Sequence, residues 1–420
     1  MSFSSFGFHS DLLAVIDSLG YAVPTPIQQA SIPEVLAGHD VMAGAQTGTG
    51  KTAAFALPLI QRQIERQAEH KSTDKKIRVL VLTPTRELTQ QVHQSFVRYS
   101  QGLGVNAVVA YGGASINTQI SSLNAGCDVL IATPGRLLEL MIKELIDPGA
   151  IDTLVLDEAD RMLDMGFIID IRRILKRLPD NRQTLFFSAT FNDEVFALSN
   201  TILKQPKLIE VAERNAAATK VEQQFYEVDK QRKAALVAYL IGVKNWRQVL
   251  IFTRTKQAVD ELANELKKDG ISTAAVHGDK SQGARERGLD AFKTGQIRVL
   301  VATDVAARGL DIEQLQYVIN FELPYSAEDY IHRIGRTGRA GQAGLAVSLV
   351  SEKEKYLLTD IEKLTGEQVA LQWMQGFEPN SFDLNEETNT RRKPSKKALR
   401  AKALGQRSNN KSKPGRARRR

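Results

Sequence analysis

Two short stretches carry residues suited to phosphate chemistry. The first is AQTGTGKT, which runs Ala45, Gln46, Thr47, Gly48, Thr49, Gly50, Lys51, Thr52 between an apolar run (VMAGA, 41–45) and an apolar helical pattern. Gly48 and Gly50 let the backbone curl so that its N–H groups converge on an anion. Lys51 adds a mobile charge for terminal phosphates, the Thr52 hydroxyl is placed to ligate Mg²⁺, and the helix start adds its partial positive charge. The general phosphate-loop pattern has Gly where Ala45 stands, yet Gly-Lys-Thr at a strand-to-helix turn still reads as a nucleotide site. The second stretch is TLVLDEADRML, residues 153–163, where an apolar strand runs into Asp157, Glu158 and Asp160. So much like charge at the edge of a core calls for a cation. An Asp at the carboxyl end of a parallel strand can hold the Mg²⁺ that bridges phosphates, and Glu158 beside it can orient or deprotonate a water. Alone, Asp157 reads equally as a helix N-cap. Beside the phosphate loop, the metal reading prevails.

A third cluster, YIHRIGRTGRAG (330–341), spaces Arg333, Arg336 and Arg339 by threes among glycines, after a helix start at Ser326 with Asp329 three residues on. Guanidinium groups meet phosphate oxygens bidentately, and glycines allow close approach. Arg336 and Arg339 are therefore read as arginine fingers, a role worth roughly 10³ to 10⁵ in rate. On this reading they reach across a cleft, and hydrolysis requires domain closure.

Parallel strands are the elements that must hold these groups. Apolar runs rich in Val, Ile and Leu alternate with helical patterns, as in a parallel sheet covered on both faces. One set comprises 41–45, 78–83, 107–111, 128–133, 153–156 and 184–189. A second comprises 248–253, 273–278, 298–303, 317–321 and 345–350. VLVLTPTRELTQQV echoes VLIFTRTKQAVDEL, and DVLIATPGR echoes RVLVATDVAARG, which predicts two related α/β halves. The pattern AVDELANELKKDG puts Val259, Leu262, Ala263 and Leu266 on one helical face, with Gly270 as its stop. The fold expected is two tandem αβα domains with parallel sheets: domain one over 1–210, a linker over 211–223, domain two over 224–365, and an extension over 366–420. Only domain one carries a phosphate loop.

Composition excludes several classes. The chain of 420 residues is 42% hydrophobic and 25% charged, enough for two cores and an extension. A single cysteine, Cys127, supports neither an internal disulfide nor a multi-thiolate metal site. No apolar run of about 18 residues appears and the N-terminus lacks a signal-peptide pattern, so no membrane role and a cytoplasmic location are expected. The net charge of +8 resides in residues 391–420, which hold 14 Lys or Arg and no acidic residue; the remainder is formally −6. This tail cannot offset the entropy of ordering and reads as a disordered, basic segment that binds polyanions, RNA above all, with little sequence preference.

Together, AQTGTGKT, PTREL, TPGR, DEAD, SAT, ARGLD and HRIGRTGR, in this order, resemble the DEAD-box ATP-dependent RNA helicases, over 3 to about 350. The short N-terminus and basic tail resemble the bacterial RhlE-type subgroup. The family has Ala at the position of Ala45, and Thr89 replaces its more usual Ala. The resemblance implies RecA-like domains, ATP and Mg²⁺ as cofactors, and local unwinding or remodelling of RNA and RNA–protein complexes, with ribosomal precursors or RNA-decay complexes as candidate assemblies. It further implies that Gln28 in GYAVPTPIQ reads the adenine edge while Phe3 packs on the base. Asp311 would contact the ribose, Ser188 and Thr190 would link the metal site to the interdomain surface, and His332 would face the DEAD carboxylates. An RNA backbone path would run over Pro84, Thr85, Arg86, Gly113, Thr133 and Arg136 in domain one and Arg254, Gly278, Gln282 and Thr303 in domain two. Contacts of these types position a strand without reading bases.

Overall fold

The computed structural model describes residues 2–44, 49–69, 76–190, 193–210, 221–307, 315–338 and 344–379. Ala45, Gln46, Thr47, Gly48, Asp311, Arg339, most of the expected linker and the basic tail lie outside these residues. The chain divides into two units.

The first unit has seven strands: β1 (Val41–Gly44), β2 (Val79–Leu82), β3 (Ala107–Ala110), β4 (Val129–Ala132), β5 (Thr153–Leu156), β6 (Gln183–Ser188) and β7 (Lys207–Glu210). They form one sheet in the order β3-β4-β2-β5-β6-β1-β7, and each pairing is parallel. Successive side chains point to opposite faces, so the apolar runs divide between two cores. Val79, Val81, Val129, Ile131, Val155 and Phe187 pack with helices Ser10–Ser18, Pro26–Leu36, Lys51–Glu69 and Arg86–Tyr99. Leu80, Leu82, Leu130, Leu154, Leu156 and Phe186 pack with Pro134–Ile142, Ile168–Leu175 and Asp193–Ile202.

The second unit has β8 (Val221–Glu227), β9 (Val249–Thr253), β10 (Thr273–Val276), β11 (Val299–Thr303), β12 (Tyr317–Asn320), β13 (Gly344–Val350) and β14 (Leu371–Gln372). Its order, β10-β11-β9-β12-β13-β8-β14, repeats that of the first sheet strand for strand. The two sequence echoes fall on corresponding strands, β2 with β9 and β4 with β11. Helix Lys256–Lys268 buries Val259, Leu262, Ala263 and Leu266, and Gly270 follows at φ +77°.

Each sheet has strands beyond the apolar runs. β7 is short and mostly exposed. β8 opens at Val221, inside the stretch read as linker; its neighbour on one side is the two-residue β14, so its polar residues remain tolerable. β14 lies past residue 365 and anchors the start of the extension. There Phe377 packs 5.6 Å from the Tyr239 ring, and the Arg232 guanidinium lies 5.2 Å from the Phe377 ring centre.

In each sheet the strand order sorts the site residues. The segments expected to grip RNA follow β2, β3 and β4, or β9, β10 and β11, which are neighbours on one side. Of those expected at the nucleotide, Lys51 and Thr52 follow β1, Asp157 and Glu158 follow β5, Arg336 follows β12, and Phe3 and Gln28 precede β1.

Candidate nucleotide site and nucleic-acid edge

Lys51 opens the helix after β1, and the residue is buried. Its ammonium has no hydrogen-bond partner among the described residues. A buried, unpaired ammonium is costly without an anion. Nearby, Asp157 is fully enclosed at the end of β5, and burial pushes its carboxyl up to about 6. The Lys51 charge pulls against this rise, while Glu158 and Asp160 add to it. A carboxylate held this way gains from a bound cation. The first unit therefore fits both a phosphate and a divalent metal, and Thr52 and Asp157 are the residues that could hold the metal.

The N-cap alternative for Asp157 is not what is found. Glu158 holds the N-cap position of helix Ala159–Asp164 at φ +53°, and Asp157 Oδ1 accepts the Glu158 N–H at 3.0 Å. A left-handed, non-glycine backbone persists only where its surroundings fix it. Here the buried Glu158 carboxylate is paired with Arg161, three residues on. Arg161 was not singled out from the sequence, although i,i+3 spacing on a helix would have revealed it. Asp160 accepts the Thr190 hydroxyl at 3.2 Å, and Thr190 O accepts the Ser188 hydroxyl at 2.7 Å. The SAT segment after β6 is thus tied to the carboxylates after β5.

Gln28 is buried and spends its amide locally: Oε1 accepts the Thr25 N–H at 2.9 Å, and Nε2 donates to Gly50 O at 3.1 Å. One lone pair and one N–H remain for an adenine edge. Gly50 is required beside it. Its φ is +90°, and a Cβ there would lie 2.5 Å from Gln28 Nε2. Phe3 is buried in an N-terminal aromatic cluster, its ring stacked 6.5 Å from Tyr21 and edge-on to Phe6.

Along the other side of the first sheet, Thr85 caps helix Arg86–Tyr99, its Oγ1 accepting the Leu88 N–H. Thr89 donates to Thr85 O at 2.8 Å and meets the Thr83 hydroxyl at 2.6 Å, so the hydroxyl that distinguishes it from Ala braces the Pro84–Thr85 turn. Gly113, at φ +79°, makes room for Arg86; a Cβ would fall 2.1 Å from Arg86 Nη1. Thr133 sits at the N-cap of Pro134–Ile142. Arg136 faces inward rather than standing open on the edge. It bonds Gln119 Oε1 at 2.8 Å, Ala114 O at 3.1 Å and Glu139 at 3.1 Å. Gln119 also donates to Tyr111 O, so the β3 and β4 exits are stapled together.

In the second unit, His277 is buried against Asp260 at 3.1 Å, and Lys256 pairs with Asp279 at 2.5 Å, bracing the turn at Gly278. Gln282 opens helix Gln282–Lys293, donating to Glu286 at 2.9 Å. Thr303 ends β11, and the next residue, Asp304, receives a bidentate bond from Arg333 at 2.5 and 2.7 Å. Arg333 is 1% exposed and also bonds Asn320 and Glu322 O, so it is an internal brace. Helix Ala327–Ile334 starts at Ser326 as expected, but the serine hydroxyl bonds Glu328 and not the helix backbone. Arg336 follows this helix in a buried turn whose carbonyl accepts the Leu315 N–H. No helix among the described residues is long and apolar enough to cross a membrane.

Tandem RecA-like domains, with a phosphate loop and acidic strand end in one and an arginine turn in the other, define a nucleotide-driven motor. Residues 25–198 match the family model described as DEAD/DEAH box helicase, and 231–341 match the helicase conserved C-terminal domain. The DEAD-box ATP-dependent RNA helicase CshA of Streptococcus pneumoniae is 42% identical over 383 residues, which cover 91% of this chain and 71% of that protein. The ATP-dependent RNA helicase RhlB of Pseudomonas aeruginosa is 41% identical over 370 residues, 87% of this chain and 93% of its own. Among solved structures, S. cerevisiae Dbp5 bound to RNA and ADP BeF3 aligns with TM-score 0.78 at 31% identity, covering 90% of this chain and 95% of that one. Mss116 bound to ssRNA and UDP-BeF aligns with TM-score 0.79 at 28% identity, covering 96% and 82%. The chain belongs to the DEAD-box family of ATP-dependent RNA helicases.

Proposed function

We propose that the protein is an RNA-stimulated ATPase that unwinds or remodels structured RNA locally, using an interdomain cleft. The observation that carries this reading is the buried Lys51 ammonium, without a hydrogen-bond partner among the described residues, near the enclosed Asp157 carboxyl at the ends of β1 and β5. Lys51 would bind the terminal phosphates, Gln28 and Phe3 the adenine, and Asp311 the ribose. Thr52 and Asp157 would hold Mg²⁺, which when bound neutralises phosphate charge. Glu158 would orient the attacking water and take its proton, released from Arg161 as it does so. Arg336 and Arg339 would meet the terminal phosphate, with His332 facing the DEAD carboxylates. Pro84, Thr85, Arg86, Gly113, Thr133, Arg254, Gly278, Gln282 and Thr303 would line the RNA path, with Arg136 shaping it from within. Since ATP and RNA both favour the closed clamp, they are expected to be coupled by about 1 to 3 kcal/mol. The basic tail would add salt-sensitive affinity. The RhlE-type assignment, a cytoplasmic location, and ribosomal precursors or RNA-decay complexes as targets complete the proposal.

The test is steady-state ATP hydrolysis of the full-length protein with RNA, with single-stranded DNA and with neither. RNA stimulation that disappears in Glu158→Gln is expected. Stimulation by DNA alone, or turnover unchanged in Glu158→Gln, would defeat the reading.

A further inference from the structure

The second unit lacks a phosphate loop but keeps the frame of one. β8 corresponds to β1 in strand order, and the helix after it opens on Lys233 as the helix after β1 opens on Lys51. The Lys233 ammonium is buried at the carboxyl ends of β12 and β13, donating to Phe321 O at 2.9 Å and Leu349 O at 2.7 Å. Those strands correspond to β5 and β6, whose ends carry Asp157 and the SAT segment. In the first unit the ammonium awaits an anion; here one is built in. The Glu354 carboxylate receives Lys233 at 2.5 Å, the Ser351 N–H at 3.1 Å, the Ser351 hydroxyl at 2.6 Å, the Leu323 N–H at 3.2 Å and the Arg254 guanidinium. Helix capping accounts for the Ser351 N–H bond and for none of the others. Burial alone would raise this carboxyl, but Lys233 and Arg254 outweigh it and hold it below its usual range.

We propose that Glu354 is a tethered anion that takes the place of a nucleotide phosphate in the second unit, and that its output is the placement of Arg254 on the RNA path. One carboxylate gathers the exits of β9, β12 and β13 and the helix after β8. Arg254 is held from three sides: its Nη2 by Glu354, its guanidinium face 4.8 Å from the Tyr325 ring centre, and its backbone N–H by Glu322 at 2.8 Å. In the first unit the corresponding ammonium, Lys51, has no such carboxylate bonded to it among the described residues, and on this proposal an exchangeable anion fills that place. The half of the RNA path in the second unit is therefore set permanently, and nucleotide control of RNA binding enters through the first unit. Glu354 and Lys233 are positioning residues, and the argument rests on the reading of Arg254 as an RNA contact.

The test uses full-length Glu354→Gln and the double variant Lys233→Met/Glu354→Gln, which removes the buried ammonium together with the carboxylate that pairs it. Binding of a fluorescein-labelled oligouridylate is measured by anisotropy across a salt series, alongside ATPase KM and kcat. Weakening the charge-assisted hold on Arg254 is expected to raise the RNA concentration for half-saturation roughly tenfold and make the salt dependence shallower. ATP KM without RNA and kcat at saturating RNA should remain within about twofold. RNA affinity unchanged or tighter in the double variant overturns the proposal, as does a parallel loss of ATP affinity. If Glu354→Gln melts below the assay temperature, the double variant decides. A wild-type ATPase indifferent to RNA would instead defeat the function proposed above, so the two failures are distinguishable.

Discussion

The enclosed Asp157 makes nucleotide binding proton-linked. Its carboxyl moves from 3.8 to about 6, a shift worth about 3 kcal/mol held against the ionised form. The causes are burial, opposed by Lys51 and reinforced by Glu158 and Asp160. A raised pKa means that the empty site carries the proton below pH 6 and the charge above it. Mg²⁺ needs the charged form, so metal-dependent affinity is full at pH 7 and is lost as pH falls through 6. With one proton displaced, affinity at pH 5 should be roughly tenfold weaker than at pH 7. The assay is equilibrium titration with a fluorescent ADP analogue at constant ionic strength, with Mg²⁺ and with EDTA, which needs no turnover. The nucleotide's own phosphate also titrates in this range. Asp157→Asn reports that contribution, since it has no carboxyl to protonate there. The expected result is a steeper fall in affinity with acid for the wild-type protein with Mg²⁺ than for the variant, and loss or reversal of that difference in EDTA, where the ionised carboxylate only repels the phosphate. Identical slopes in Mg²⁺ would refute the assignment of Asp157 as metal ligand.

Four further outcomes follow, three from local geometry and one from the charge of the tail. Gly50→Ala puts a Cβ 2.5 Å from Gln28 Nε2 at φ +90°, so nucleotide affinity should fall by about tenfold or more, a cost of roughly 1–2 kcal/mol for the backbone alone; calorimetry checks it, and RNA binding without nucleotide should persist. Gly113→Ala forces Arg86 off its seat and should raise the half-saturating RNA concentration while leaving ATP KM without RNA unchanged. Ending the chain at 365 removes β14 and Phe377 from the second unit and should lower its melting temperature by several degrees, since losing one packed aromatic alone costs about 1–3 kcal/mol. Ending it near 382 should keep the ATPase and flatten its salt dependence.

Where side chains alternate between two apolar cores, the sequence was sufficient to locate the strands. Val79 to Leu82 and Val299 to Thr303 are buried on both faces, and such strands announce themselves by composition. β7, β8 and β14 lie at or near the sheet edge, where one side meets water or a two-residue neighbour, so their polarity gave no comparable signal. The site divides in the same way. Lys51, Asp157 and Glu158 are legible because their spacing has a chemical reason. Gln119 and Glu354 are not, because each is defined by what it touches. Glu354 meets residues 233, 254 and 323, a convergence that only the assembled sheet creates. Arg136 shows the converse: its motif marks it for the RNA edge, and three protein acceptors draw it inside.

The shared strand order places the two expected sets of ligand residues close together in each unit. Ligands collect at strand carboxyl ends, and reversal of strand order at β2 and β5 splits those ends into two groups. One group follows β5, β6 and β1 and has the unpaired ammonium; the other follows β2, β4 and β3 and has the threonine, arginine and glycine turns. Because β2 and β5 are bonded neighbours, the end of β5 and the Pro84 turn lie one strand spacing apart, with the Asp157 N–H donating to Leu82 O at 2.9 Å. The second unit repeats the arrangement through Arg333, which ties Asp304, beside Thr303 on the RNA side, to the helix leading to Arg336. The residues expected at nucleotide and at RNA thus lie at strand ends of one sheet in each unit, joined in one by adjacent strands and in the other by a buried guanidinium.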